Sequence, residues 1–221
     1  ARLARCVARL GDARIDEPES WDLGFADAER RAAEEALAGW PGSGDFLAFS
    51  NGAKVQVKDW GDDNWHQVLV DLTAEHPGLG LALIGSADEA EAAERLATSW
   101  AGPVLNLCGR LPPRVSALVM ARARAFLGHD GGPMHLAAAV GTRVAAVFSA
   151  RAKPGVWFPH GEGHRIVYHR TPCFDCRLET CTAMKKMCIL SIEPGEVLDA
   201  ARAVLAPGCY DAPPSQGKGA S

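Results

Sequence analysis

The feature of this sequence that most constrains its fold is a repeated alternation of short apolar runs with helical patterns. Each apolar run has the length of a strand. Most are followed by a segment whose apolar residues recur at helical spacing, as Trp65, Val68, Leu69 and Leu72 do. Strands that alternate with helices in this way pair in parallel, so we expect an α/β fold with helices on both faces of the sheet. Strands are predicted at residues 45–50, 80–84, 104–107, 125–128, 144–148 and 165–169.

Helices are predicted between and after these strands, and local signals mark their ends. Asp62 and Asp63 favour a helix start, Pro133 suits the first helical position, and Gly141 suits the residue just past a helix. In a parallel α/β sheet, ligands bind beyond the carboxyl ends of the strands, so function is expected in the loops that follow them. The predicted helices are residues 26–39, 62–76, 87–100, 113–124, 133–140 and 193–205.

The 221 residues divide into three parts by pattern. Residues 1–44 are predicted to be a connector with helices at 2–10 and 26–39, residues 45–206 to form the α/β domain, and residues 207–221 to be disordered. Apolar residues make up 48% of the chain, which is enough to bury a core. The formal net charge is −4 and no basic stripe is visible, which argues against nucleic acid as a partner.

Two further bulk features bear on location. No apolar run is long enough to span a membrane. Four of the seven cysteines crowd into one short segment, which is unlike the even spacing of a disulfide-stapled secreted domain. We therefore expect a protein of a reducing, cytoplasmic compartment.

The loop after the fourth predicted strand has the sequence HDGGPMH, residues 129–135. The N–H groups at a helix start are unpaired and carry partial positive charge, and two glycines leave that backbone open to an anion. His135 can add a donor toward the same anion, and Asp130 can accept the hydroxyls of a sugar. The alternative is a tight turn in which the glycines serve backbone geometry and His135 is packed.

Two other loops contain candidate ligand-binding residues. After the first strand, Lys54 and Lys58 are placed to meet a phosphate, although the G-x-x-x-x-G-K-[ST] pattern of a Walker loop is absent. After the second strand, Glu89 can accept hydrogen bonds from a base or a ribose. The alternatives are surface lysines in a solvated loop and an exposed helix rich in Ala and Glu.

A cysteine-rich segment, residues 173–188, follows the last predicted strand. Its cysteines have the spacing C-x2-C-x4-C-x6-C, in which the first pair is ideal for a metal and the other gaps are short. One structural zinc is therefore a candidate, with reversible disulfides and free thiols as alternatives. The candidate ligands are Cys173, Cys176, Cys181 and Cys188.

These patterns, in this order, resemble glycosyltransferase family 9, the ADP-heptose–lipopolysaccharide heptosyltransferases and their relatives. The resemblance rests on the KDW at 58–60, the GS at 85–86 after a strand, and the DGGPMHLA at 130–137. It extends to the WFP at 157–159 and the cysteine-rich segment, and covers about residues 46–205. The family implies the GT-B architecture, two Rossmann-like domains facing across a cleft, of which this chain resembles the C-terminal, donor-binding half.

The resemblance also implies a reaction. It is an inverting, metal-independent transfer of a heptose or hexose from a nucleotide-diphosphate sugar, ADP-linked by preference, in lipopolysaccharide or other cell-surface glycan biosynthesis. A whole enzyme of this type would be roughly twice this length on ordinary domain sizes. The N-terminal domain, which binds the glycan or lipid-linked acceptor and holds the family's catalytic base, is thus expected outside this sequence. No catalytic residue is assigned here, no cofactor is required, and the location implied is the cytoplasm, peripheral to the inner membrane.

Carried over by position, the resemblance assigns donor binding to six residues, with Lys54 as a further candidate. Gly131 departs from the family, which often has Ser or Thr there, so the exact donor is left open. A sugar-nucleotide epimerase of related build and a non-catalytic, zinc-stabilised nucleotide-binding module are the competing interpretations. The six residues are Lys58, Glu89, Asp130, Gly131, Gly132 and His135.

Overall fold

Apolar strands form a six-stranded parallel sheet in the computed structural model, which describes residues 9–14, 17–42 and 44–206. The strand order is β3-β2-β1-β4-β5-β6, so the chain reverses its direction of travel between β1 and β4. This Rossmann-like order confirms the predicted parallel α/β fold. The strands are β1 (Phe46–Ser50), β2 (Gly80–Leu83), β3 (Val104–Asn106), β4 (Ala125–His129), β5 (Val144–Phe148) and β6 (Arg165–Tyr168).

The helices predicted between residues 26 and 205 are present, with shorter bounds at several ends. The predicted helix at 87–100 is divided, because Glu89 accepts a hydrogen bond from the Ser86 N–H and tightens the first turn before α3 begins. The sequence pattern does not predict α6 or the short 3₁₀ turns at Pro18–Trp21 and Gln56–Lys58. The helices are α1 (Asp27–Ala38), α2 (Asp62–Glu75), α3 (Ala90–Ala97), α4 (Pro113–Met120), α5 (Gly132–Ala139), α6 (Met187–Leu190) and α7 (Pro194–Leu205).

Helices cover both faces of the sheet, which explains why the strands are apolar throughout. In β1, Leu47 and Phe49 face a core shared with α2, α3 and α7. The alternate residues Phe46 and Ala48 face a second core shared with α1, α4 and α5. Leu47, Ala48 and Phe49 are fully buried, and burial of each large apolar side chain contributes about 1.5–3 kcal/mol.

The pairing of β1 with β4 brings their carboxyl ends together. Ser50 is the register partner of Gly128. A Cβ at Gly128 would collide with the carbonyl oxygen of Ser50, so the close approach requires a glycine. The loops that follow these strands, residues 51–61 and 130–131, therefore start side by side at one edge of the sheet.

Some sequence predictions fall outside the described residues. They are most of the predicted helix at 2–10 and the predicted disordered tail at 207–221. The division at residue 45 stays a prediction, although α1 packs into the second core through Ala33 and its Glu29 pairs with Arg114 of α4 at 2.6 Å. Within the described ranges, no helix has the length and apolar character needed to cross a membrane.

Candidate functional site

A buried histidine joins the end of β4 to the loop after β1. His129 is 2% exposed and its Nδ1–H donates to the carbonyl oxygen of Asn51 at 2.9 Å. Its Nε2 accepts from the Trp60 backbone N–H at 3.1 Å and from the Trp65 indole N–H at 3.3 Å. These bonds require a neutral ring with its proton on Nδ1. Burial lowers the pKa of His129 from 6.5 to about 4, although the bond to Asn51 opposes the shift, so the ring is neutral at pH 7.

Each residue of the KDW motif at 58–60 has a separate role. Trp60 is fully buried, donates its indole N–H to the carbonyl oxygen of Ile192 at 3.0 Å, and packs edge-on against Trp65. Asp59 accepts the Gly61 N–H at 3.0 Å, which turns the chain into α2. Because the residues after Lys58 are fixed in this way, the lysine itself is held at the edge of the sheet.

Lys58 and Asp130 form an ion pair across the two loops. The Lys58 ammonium lies 2.8 Å from Asp130 Oδ2 and 3.0 Å from the Asp130 carbonyl oxygen. The side chains are 19% and 7% exposed, so the pair is largely shielded from water. An ammonium has three donors, and these two contacts leave one for a ligand. The structure therefore brings two predicted site residues into direct contact.

The backbone at Gly131 and Gly132 is open. Gly131 has φ −156°, an extended conformation that any residue adopts, and a Cβ on it would meet nothing nearer than 3.8 Å. A Cβ on Gly132 would meet nothing within 4 Å. Neither turn geometry nor packing requires these glycines, so their effect is to leave the N–H groups at the start of α5 accessible. This finding argues against the purely structural interpretation of the loop.

His135 lies in the first turn of α5, half-buried beside the ion pair. Burial lowers its pKa, the charge of Asp130 opposes the shift, and the charge of Lys58 reinforces it. Its ring makes no hydrogen bond to any residue in the described ranges. The ring nitrogens are thus available to a ligand at the same edge.

Glu89 lies at this edge as well, between the loops after β1 and β2. Its Oε2 accepts the Ser86 N–H at 2.7 Å, and a Cβ at Gly85 would stand 2.5 Å from that oxygen. A Cβ at Gly52 would overlap the same carboxylate, so the two glycines make room for it. Lys54 is exposed and makes no hydrogen bond or ion pair within the described residues, so the structure does not bring it into contact with the other predicted donor-binding residues.

Sequence reasoning missed His129, Asp59 and Trp60 as parts of the site. A signal for His129 was present, because a polar residue ends an otherwise apolar and fully buried strand. Such a residue must find hydrogen-bond partners, and the neighbouring loop supplies them. No comparable local signal distinguishes Asp59 from an ordinary turn residue.

An open groove lies elsewhere on the molecule, along β6 and α7. Its volume is about 400 Å³, and its lining includes Arg165, Tyr168, His169 and Glu196 but none of the predicted donor residues. His169 bonds Ser191 Oγ through Nδ1 and Glu196 through Nε2, both at 2.9 Å, which ties β6 to α7. His169 and Glu196 of this groove therefore have partners within the protein, unlike the open backbone at the start of α5, whereas the buried Tyr168 hydroxyl has none among the described residues.

The candidate zinc site is not supported by the arrangement of the cysteines, which agrees with the alternative of free thiols. Cys173, Cys176 and Cys181 are partly exposed, Cys188 is buried, and all four are free thiols. Burial raises the pKa of Cys188, and the charges of the other three thiols add to the shift. However, among the described residues no group of three or more His, Cys, Asp or Glu side chains could hold a metal ion. The cysteines are close in sequence, but the fold does not orient their thiols toward one metal position.

Comparisons with known proteins agree with this fold. The model of glycosyltransferase family 9 (heptosyltransferase) matches residues 7–187. Lipopolysaccharide heptosyltransferase 1 of Pseudomonas aeruginosa is 29% identical over 172 residues, which are 76% of this chain and 45% of that protein. These matches establish the family.

Two solved structures share the fold. The ADP-heptose lps heptosyltransferase II of E. coli superposes with a TM-score of 0.64 at 21% identity, covering 83% of this chain and 53% of its own. The iron-containing dodecameric glycosyltransferase TibC from enterotoxigenic E. coli gives 0.56 at 15% identity, covering 73% of this chain and 45% of its own. The chain spans about half the length of these relatives.

Proposed function

The chain belongs to glycosyltransferase family 9. We propose that the loops at the carboxyl ends of β1 and β4 bind the nucleotide-diphosphate sugar donor of an inverting, metal-independent glycosyl transfer. The observation that carries the proposal is the Lys58–Asp130 ion pair lying beside the open backbone at Gly131 and Gly132. A cation with a spare donor next to the unpaired N–H groups of a helix start is suited to a diphosphate.

The charges of the site suit a leaving diphosphate better than a bound sugar. As the bond to the sugar breaks, negative charge grows on the departing phosphate oxygen. Lys58, the α5 N–H groups and the His135 ring are fixed before the reaction, so they stabilise that charge without reorganisation. Asp130, which accepts from Lys58, keeps acceptor capacity for the hydroxyls of the sugar. Glu89, in the neighbouring loop, is proposed to contact the nucleoside.

The rest of the enzyme is proposed to lie outside this chain. The relatives are about twice as long, which fits a donor-binding half whose partner domain holds the acceptor and the catalytic base. The donor we favour is ADP-linked, since the E. coli relative is named for ADP-heptose, and the acceptor is a lipopolysaccharide or another cell-surface glycan. The location we propose is the cytoplasm, peripheral to the inner membrane. No step is assigned to the cysteine-rich segment, whose thiols do not fit a metal.

Calorimetric titration with ADP, UDP and GDP tests the donor site. We expect one nucleotide to bind in preference, and its affinity to fall about tenfold or more in a Lys58→Met, His135→Ala variant, since two ligand donors are lost. A His169→Ala variant in the β6–α7 groove is the control and retains the affinity. No binding by the wild type, or equal binding by the double variant, would overturn the proposal.

A transfer assay tests whether the catalytic base lies in the other domain. With a nucleotide-diphosphate heptose and a lipopolysaccharide acceptor, the chain alone is expected to transfer no sugar, because the proton acceptor is placed in the other domain. Release of nucleotide at the level of the buffer control is the expected reading. Acceptor-dependent transfer by the chain alone would show that the base lies within it.

A further inference from the structure

The cysteine-rich segment is docked on the loop that carries Lys58. The Val57 N–H donates to the carbonyl oxygen of Glu179 at 3.1 Å. The Cys181 N–H donates to the Gln56 side-chain oxygen at 3.1 Å. A segment without a metal site is thus bonded to the residues immediately before the lysine of the proposed donor site.

Lys186 makes the strongest of these contacts. Its ammonium donates to the Asp59 carbonyl oxygen at 2.7 Å and lies 3.3 Å from Asp59 Oδ2, and its side chain is only 15% exposed. Its own backbone N–H donates to Cys181 Sγ at 3.2 Å, which fixes the base of the side chain. Charge-assisted bonds of this kind are stronger than neutral ones. Lys186 therefore holds the residue directly after Lys58.

We propose that Lys186 is a positioning residue for Lys58, an inference that rests on the proposed function of that site. Lys58 has a long side chain, and holding its ammonium at Asp130 costs rotamer entropy. A fixed backbone lowers this entropic cost. Lys186 fixes that backbone through its bond to the Asp59 carbonyl oxygen. Without Lys186, the loop gains freedom and the Lys58 ammonium is held less firmly at Asp130. This loss of order lowers the affinity for a diphosphate.

Lys185 supplies a matched control. It is the adjacent residue, has the same charge, and shares the left-handed backbone, with φ 46° against 56° for Lys186. Its side chain is exposed and makes no bond within the described residues. Lys185→Met and Lys186→Met therefore remove the same charge from the same segment, and only the second removes the contact with Asp59.

Amide hydrogen exchange tests the positioning without any ligand. In Lys186→Met, the amides of residues 57–60 are expected to exchange at least several-fold faster than in the wild type, while Lys185→Met leaves them unchanged and Lys186→Arg restores protection. Thermal melting of each variant confirms that the fold is retained. Equal exchange in the two methionine variants would overturn the inference.

A double-mutant cycle with ADP then tests whether Lys186 acts through Lys58. Lys186→Met is expected to weaken ADP binding about three- to tenfold in the wild type and less than twofold in a Lys58→Met background. An equal loss in both backgrounds would refute positioning. If the wild type binds no ADP, the proposed function fails, whereas the exchange measurement still decides whether Lys186 holds the loop.

Discussion

The loops after β1 and β4 are joined by bonds that cross between them, whereas the four thiols of the cysteine-rich segment do not form a metal-binding group. Lys58 bonds Asp130, and His129 bonds Asn51 and Trp60. The thiols instead contact groups outside their own set. Cys181 Sγ, for example, accepts the Lys186 N–H. Side chains converge where two paired strands end together, because the sheet sets their distance. Closeness in sequence does not set direction.

Replacement of the buried His129 is expected to change stability more than any other change considered. His129→Leu leaves the Asn51 carbonyl, the Trp60 N–H and the Trp65 indole N–H without partners, each of which costs about 1–3 kcal/mol. We expect the free energy of unfolding to fall by about 3–5 kcal/mol in urea denaturation. His135→Leu, the same change six residues on, is expected to cost less than about 1 kcal/mol. Equal losses would mean that the bonds joining the loops contribute little.

A smaller effect is expected from pH, again through His129. Its pKa is about 4 in the folded protein and 6.5 when unperturbed, so the unfolded chain takes up the proton first as pH falls. The stability from the neutral ring is present above pH 6.5 and is lost between pH 6.5 and about 4. Between pH 7 and 4.5 this amounts to roughly 2–3 kcal/mol. Urea denaturation of the wild type and His129→Gln across this range should give different slopes, and parallel curves would contradict the assignment.

The smallest effect is expected in the cysteine-rich segment. Because its thiols do not converge on a metal-binding point, a chelator under reducing conditions is expected to change the Tm by less than about 1 °C. Elemental analysis of the purified protein accompanies the measurement. Stoichiometric zinc or iron, together with a fall in Tm of several degrees on chelation, would show that the thiols do bind a metal.

The sheet and its helices could be predicted because their signals are local. Apolar periodicity and end residues such as Gly141 act within a few positions. The Lys58–Asp130 contact joins residues 72 positions apart and depends on the pairing of β1 with β4, so the sequence indicated both residues as candidates without predicting their contact. The cysteine-rich segment has left-handed backbone at Asp175, Arg177, Lys185 and Lys186, which the spacing of its cysteines does not reveal. His129 had a local signal, as the polar end of an apolar strand, but its tryptophan partners depend on the fold.

The central claim is that a diphosphate binds at the Lys58–Asp130 pair and the start of α5. The most direct measurement is an NMR titration of the labelled protein with ADP, following backbone amides and lysine side chains. We expect the largest shifts at the Gly131 and Gly132 amides and the Lys58 side chain. Shifts confined to the β6–α7 groove around His169, or spread evenly over the surface, would contradict it.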